Sequence, residues 1–208
     1  MSSQQTDTRT RILETAWKLL ESGDKAVRMS DIARAVGISR QALYLHFPNR
    51  AELLVATTRH IDRVKNVDER LAPSRSARSG VERLHAFIEA WTGYIPEIHG
   101  ISVALRSMRD SDREAAEAWD DRMRAVRHGC AAAVRALVAE GRLAPELTEE
   151  EATDLLWMLL SVENWECLVR ACGWSQSRYA EMTKMLAERA LLAEAEPDHP
   201  PPAGVRRG

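Results

Sequence analysis

The residues with the most pointed chemistry stand together in Gly37-Ile38-Ser39-Arg40-Gln41-Ala42-Leu43-Tyr44-Leu45-His46-Phe47. Ser39 is a natural N-cap, so Arg40 and Gln41 become the first two residues of a short helix. A guanidinium there can pair with the two acceptors of guanine, and a carboxamide with the edge of adenine. Ala42 is small enough for close approach and offers a methyl contact to thymine. Leu43 and Phe47 carry no such chemistry and read as core. Just upstream, Asp31-Ile32-Ala33-Arg34-Ala35-Val36 reads as a second short helix. Two short helices around a turn containing glycine form a helix-turn-helix, the unit that sets its second helix in the major groove of DNA.

No rival chemistry has its pattern here. His46, His60, His85, His99, His128 and His199 form no His-Glu-x-x-His, and there is no Gly-rich phosphate loop and no Gly-x-Ser-x-Gly. An enzyme is the remote alternative, with no catalytic residue, metal site or cofactor expected. Cys130, Cys167 and Cys172 are few and odd in number, and Cys167 and Cys172 stand five apart, off one helical face. Thiols of this kind suit a reducing cytoplasm better than a disulfide framework. No run of about 18 apolar residues exists, so no membrane span is expected. The polar start, Met1-Ser2-Ser3-Gln4-Gln5, lacks the apolar stretch of a signal peptide. The chain thus reads as cytoplasmic. Its 208 residues carry a net charge of −2, unevenly spread. Residues 1–65 hold 11 Lys/Arg against 7 Asp/Glu, and residues 66–208 hold 18 against 24. A basic front and an acidic rear imply that only the front meets an anionic polymer.

The elements that must position these residues are helical throughout. Ile12, Leu13, Ala16, Leu19 and Leu20 stripe a first helix from Asp7 or Thr8 to Ser22, ended by Gly23. After the helix-turn-helix, Asn49 with Glu52 opens a helix running to about Val67, with Leu53, Leu54 and Ile61 facing the front. Residues 72–80 read as a linker by composition. Ser79 with Glu82, Ser111 with Glu114, and Thr148 with Glu151 are further capping-box pairs. Val81, Leu84, Ile88, Trp91 and Ile95 form a stripe that Pro96 is expected to close. Residues 100–109 fit both alternation and helical spacing and are taken as helix. Trp119, Met123, Val126, Cys130, Ala133 and Leu137 stripe the next helix, ended by Gly141 and Pro145. Leu155 to Val169 is apolar almost all round, so that helix must be buried on several sides. A last helix, about 176–194, shows Tyr179, Met182, Leu186, Ala190 and Ala193 on one face. The tail, residues 196–208, reads as disordered.

Taken together, Ile12-Leu13 with Ala16, Asp31-Ile32-Ala33 with Val36-Gly37-Ile38-Ser39, and Leu43 through Arg50 with Leu53-Leu54 resemble the N-terminal domain of TetR-family (tetracycline-repressor-like) transcription regulators. The likeness covers residues 9–60. Two positions depart from it: Asp24 stands where an aromatic is usual, and Arg28 where a Ser or Thr caps the second helix. Arg28 has no acceptor to cap with, which leaves it to solvent or to a phosphate. The resemblance implies an all-α protein of about nine helices. Its parts would be a helix-turn-helix domain over residues 1–50, a connecting helix over 51–71, and a helical ligand-binding and dimerisation domain over 72–195. It also implies phosphate contacts from Tyr44, His46 and Arg50, and a homodimer built from the last two long helices. Arg9 and Arg11 are either an arm reaching DNA or a mobile tail.

Five of the six tryptophans lie in the rear. Trp91, Tyr94, Met108, Trp119, Met123 and Trp157 are candidate walls of an apolar pocket, with Ser161 and Asn164 as polar anchors. His85 and His128 are further anchors, and the same stripes serve equally well as plain core. Wall composition suits an apolar or planar small molecule. The expected function is that of a dimeric regulator of double-stranded DNA, a repressor released from a near-palindromic operator by such an effector. The alternative is a regulator without an effector, or one controlled by a protein partner. An open cavity near Trp91 favours the first reading and a filled interior the second.

Overall fold

A computed structural model of the protein describes residues 2–22 and 27–193, and the side chains from residue 7 onward. The expected stop at Gly23, the departure at Asp24 and the tail at 196–208 lie outside the described residues. Ten α-helices follow one another, and no strand occurs among the described residues. The first four are α1 (Ser2–Glu21), α2 (Met29–Val36), α3 (Arg40–His46) and α4 (Arg50–Val64). Then come α5 (Val67–Arg75), α6 (Gly80–Met108) and α7 (Arg113–Ala139). The chain ends with α8 (Glu149–Leu159), α9 (Val162–Trp165), a π-helical turn (Glu166–Ala171) and α10 (Gln176–Leu191). No helix among the described residues is long and apolar enough to cross a membrane.

The front core gathers Ile12, Leu13, Ala16 and Leu20 of α1, Ile32 and Val36 of α2, Leu43 of α3, Phe47, and Leu53, Leu54 and Ile61 of α4. Each of the larger side chains among them contributes on the order of 1.5–3 kcal/mol when removed from water. The same core continues into Ile101, Leu105 and Met108 of α6 and Ala115, Ala118 and Trp119 of α7. Front and rear are therefore packed on each other, not merely tethered. A second cluster joins Leu84 and Ile88 of α6 with Val134 and Leu137 of α7, Leu156 of α8, and Ala187 and Leu191 of α10. Here α6 and α7 touch closely, since a Cβ on Gly80 would sit 2.8 Å from the backbone of Ala136. In this cluster's setting, burial pushes the Cys130 thiol up to about 12.

Several boundaries differ from the sequence reading, each for a physical reason. The first helix begins at Ser2 rather than Asp7. The helix after Asn49 stops at Val64, because Asn66 takes the left-handed conformation at φ 54°. Residues 72–80 are not a linker, since α5 runs to Arg75 through Pro73. Tertiary contacts override composition there: Leu71 packs on the second cluster and Arg70 binds Glu97 at 2.6 Å. The buried Ser74 hydroxyl donates to the Arg83 carbonyl at 3.0 Å. Asp112, not Ser111, caps α7, accepting from the Glu114 and Ala115 amides. The apolar run at 155–169 is not one helix but breaks at Leu160-Ser161.

Pro96 does not close its helix. It removes the amide that would bond the Thr92 carbonyl, a loss of about 3 kcal/mol or more inside a helix. The Gln176 amide nitrogen donates to that carbonyl at 2.7 Å, and the Gln176 side-chain oxygen accepts from Trp165 Nε1 at 2.7 Å. With the freed acceptor satisfied, α6 continues, held by buried Ile95 and Ile101 on either side. Gln176→Ala should cost about 1–3 kcal/mol by leaving both groups unpaired. Urea unfolding followed by far-UV circular dichroism checks this, and an unchanged midpoint would remove Gln176 from the account.

Candidate functional site

The turn between α2 and α3 forms because Gly37 adopts φ 79°, a left-handed cap that closes α2. Ser39 then takes the N-cap of α3, its hydroxyl accepting from the Ala42 amide at 3.0 Å. Leu43 and Phe47 anchor the helix in the core at 0% and 1% exposure. Arg40, Gln41, Tyr44 and Leu45 are left facing outward. Ala42 and His46 are half-buried beside them. The Arg40 guanidinium carbon sits 5.8 Å from the centre of the Tyr44 ring. Arg28 occupies the N-cap position of α2, and its amide donates to the Asp31 carboxylate at 3.3 Å. Asp31 thus binds the N-cap amide, while no Arg28 side-chain atom can accept from the first-turn amides. Arg28, Arg40, Tyr44 and Asn49 line one open groove. Such a face can offer a bidentate donor, a carboxamide and flanking cations to a base edge and its phosphates.

Several other cations of the front are engaged within the molecule. Arg9 lies 4.4 Å above the Phe47 ring, and Arg11 donates to the Val36 carbonyl at 2.9 Å. Neither is an arm or a tail. Arg50 lines the same groove as Arg28 and Arg40 but is held from within. Its Nε donates to the Val27 carbonyl at 2.5 Å, and its Nη1 binds Asp112 at 2.7 Å and Glu114 at 3.4 Å. Only 11% of its side chain is exposed, and its charge ties α4 to the start of α7.

Behind the front core lies an apolar cavity of about 140 Å³ between α4, α5, α6 and α7. Of the expected wall residues, it brings together Trp91, Tyr94, Trp119 and Met123. It does not include Met108, which is buried in the front core. Trp157 packs against the second cluster instead. Ser161 caps α9 through the Asn164 amide, and the Asn164 side chain donates to the Met158 carbonyl at 2.6 Å. Both anchors thus serve the break between α8 and α9 and stand away from the cavity. Trp91 meets Tyr94 edge-on at 5.8 Å, and its Nε1 donates to the Leu160 carbonyl at 2.8 Å.

The charged lining residues, Asp62, Arg70 and Arg122, were missed by the sequence reading. All three sit on helix faces that look like ordinary solvated surface in sequence. Tyr94 Oη donates to Asp62 Oδ1 at 2.8 Å, and Arg122 binds the other oxygen of Asp62. Burial and the adjacent Asp62 carboxylate push the Tyr94 phenol far up, so it stays protonated as a donor. Arg122 also binds Asp121 at 2.6 Å, and Arg59 binds Asp121 at 2.9 Å. Burial raises the Asp121 carboxyl, but hydrogen bonds from Arg59 and Arg122 outweigh it and hold it below its usual value. A ladder of alternating charge therefore runs from α4 to α7 beside the cavity.

Two outcomes follow. Arg50→Ala should lower stability by on the order of 1.5–3 kcal/mol, the scale of a hydrogen bond to a charged group. A surface phosphate ligand would leave thermal unfolding unchanged. The depressed Asp121 contributes stability that is present above the ordinary carboxylate value of about 3.9 and lost as pH falls further. Asp121→Asn should therefore flatten the fall of melting temperature below about pH 4. A parallel profile for the variant and the parent would remove Asp121 from the acid transition.

Comparison with known proteins agrees with this geometry. Residues 12–57 match the model of the bacterial regulatory proteins of the tetR family. The nucleoid occlusion factor SlmA of Marinomonas sp. (strain MWYL1) is 41% identical over 54 residues, 26% of this chain and 27% of that protein. The chain thus matches about a quarter of that relative's length. Over most of its length the chain superposes on crystal structures of transcriptional regulators. One from Saccharomonospora viridis, solved in complex with choline, gives a TM-score of 0.66 at 21% identity, covering 90% of this chain and 98% of that one. A TetR-family regulator from Rhodococcus sp. gives 0.68 at 21% identity, covering 88% and 98%. NalD of Pseudomonas aeruginosa gives 0.65 at 22% identity, covering 92% and 99%. At these identities the structural likeness carries the fold alone. Residues 12–57 thus match the DNA-binding domain of the tetR family of bacterial regulatory proteins, a helix-turn-helix here joined to a second, helical domain whose fold is that of the superposed structures.

Proposed function

We propose that this protein is a homodimeric, sequence-specific repressor that leaves a near-palindromic operator when a small molecule enters the cavity. One observation carries the reading. Helix α4 is shared by both halves: Leu53 and Leu54 are in the front core, while Thr58, Ile61 and Asp62 wall the cavity. A ligand that moves α4 moves the DNA-binding domain with it.

On the DNA, Arg40 and Gln41 read base edges and Ala42 allows the helix to approach. Ser39 holds the start of α3, where free amides also favour phosphate. Tyr44, His46 and Arg28 contact the backbone. The dimer forms through α8 and α10. The inward face of α10 carries Tyr179, Thr183, Ala187 and Leu191, so Leu186 and Ala190 of the expected stripe point outward. Leu186 is 43% exposed and Met158 on α8 is 51% exposed, an apolar surface suited to a second copy. Two copies would set their α3 helices about 34–36 Å apart, one turn of DNA. The open cavity favours small-molecule control over control without an effector. Two relatives of the fold support the same reading: NalD is described as a secondary repressor of a multidrug efflux pump, and the S. viridis regulator was solved with choline.

The test is competition binding of the chain to a genomic site it protects and to random DNA. Arg40→Ala and Gln41→Ala should each lose about 1–3 kcal/mol on the protected site and far less on random sequence. Equal loss on both would show that these residues hold the backbone and do not read bases.

A further inference from the structure

We propose that the cavity takes a compact aryl carboxylate, its ring against the aromatic walls and its carboxylate bound by Arg122 and the Tyr94 hydroxyl in place of Asp62. This rests on reading the cavity as the effector site.

Size sets the body of the ligand. The cavity measures about 140 Å³. An apolar cavity of about 150 Å³ holds a single benzene ring. Phe87, Trp91, Trp119 and Met123 supply the ring faces and the polarisable sulfur that favour an aromatic guest.

Charge sets its head group. The charged side chains of the lining are one carboxylate, Asp62, and two guanidiniums, Arg70 and Arg122. Arg70 is paired with Glu97, so Arg122 is the guanidinium that loses a partner when Asp62 leaves; an incoming carboxylate restores that pair and an ammonium does not. The donors are already arranged for one carboxylate: Tyr94 Oη reaches one oxygen of Asp62, and Arg122 reaches the other. Arg70 lies 5.8 Å from the Tyr94 ring centre and is held by Glu97 at 2.6 Å, so it stays outside this donor pair.

Asp62 is the replaceable member of this set. It lines the cavity and also an outer groove that contains Arg59 and Arg63 of its own helix. Arg59 is already paired with Asp121 and the groove also holds Glu52 and Glu117, so Arg63 is the cation of this helix left to receive a displaced Asp62 carboxylate. Arg122, by contrast, stays fixed by its pair with Asp121. The exchange transfers no proton and breaks no covalent bond. It replaces a bond between α4 and α7 with one between the ligand and α7, so ligand binding and the position of α4 become linked.

The experiment is a tryptophan-fluorescence titration of the full chain, since Trp91 and Trp119 line the cavity. The probes are phenylacetate, the neutral phenylacetamide and the cation benzyltrimethylammonium. Phenylacetate should bind at least about tenfold tighter than phenylacetamide, with the cation weakest. Asp62→Asn removes the internal competitor and should tighten phenylacetate several-fold, while Arg122→Met should erase the preference of acid over amide. If Arg122→Met does not fold, Asp62→Asn decides alone, and weaker phenylacetate binding in it overturns the proposal. Equal binding of acid and amide, or tighter binding of the cation, overturns the carboxylate head group while leaving the cavity a small-molecule site. No binding of any probe overturns both this proposal and the effector reading.

Discussion

The attachment of α4 to α7 by charge is the constraint on which the two halves of this protein depend. At its first residue, α4 offers Arg50 to Asp112 and Glu114, and further along it offers Arg59 and Asp62 to Asp121 and Arg122. Asp112 has two partners at once, because the same carboxylate caps α7. Apolar packing alone would let α4 slide, since hydrophobic contact has no preferred direction. Ion pairs with defined hydrogen-bond geometry fix its register. They also differ along the helix in how easily solvent reaches them. The Arg50–Asp112 pair, 11% and 24% exposed, is somewhat more buried than the Arg122–Asp62 pair beside the cavity, 21% and 28% exposed, while Arg59 on the outer side is 60% exposed and its pair correspondingly weak. The stiff point lies beside the DNA-binding domain and the adjustable point beside the cavity.

That gradient suits a switch. A ligand shifts a conformational equilibrium only by its difference in affinity between the two states. A purely apolar guest gains much the same contacts wherever α4 sits. A guest that competes for a partner of α4 does not, because its binding is strongest when α4 has released that partner. The position of Asp62 at the boundary between cavity and outer groove makes such competition possible without unfolding anything.

Much of this was legible in the sequence, and the rest was hidden for identifiable reasons. The helix-turn-helix was readable because each part is local: Gly37 for the turn, Ser39 for the cap, Leu43 and Phe47 for the core. Aromatic walls were partly readable from helical spacing, which placed Trp91, Tyr94, Trp119 and Met123 near one another. Met108 and Trp157 were misplaced because spacing tells which residues are apolar but not which neighbour they meet. Proline misled twice. Pro96 and Pro73 end helices by local rules, yet Gln176, eighty residues away in sequence, satisfies what Pro96 leaves open, and tertiary contacts hold α5. On α10 the apolar stripe was visible, but two stripes lie one residue apart, and the chain buries the one with Thr183 and Ala187.

Charge was the least legible property, and it bears on how DNA is held. Counting Lys and Arg gives the front a positive excess, yet Arg9, Arg11, Arg50 and Arg59 all have partners inside the molecule. Among the described residues, Arg28, Arg40 and Arg50 are the cations that line the groove face with Tyr44, and Arg50 is bound from within by Asp112 and Glu114. Each neutralised phosphate contributes a salt slope of about 0.9, so a head with few free cations gains little from counterion release. One head alone would bind weakly. Two heads on a shared frame gain from effective concentration, a gain that depends on their span matching the DNA. In the proposed dimer a small change of spacing is therefore enough for release, because weak heads cannot hold on singly once the span is wrong. The scarcity of free charge on the DNA face and the ionic attachment of α4 then belong to one design: the first makes binding sensitive to spacing, and the second gives the cavity a hold on it.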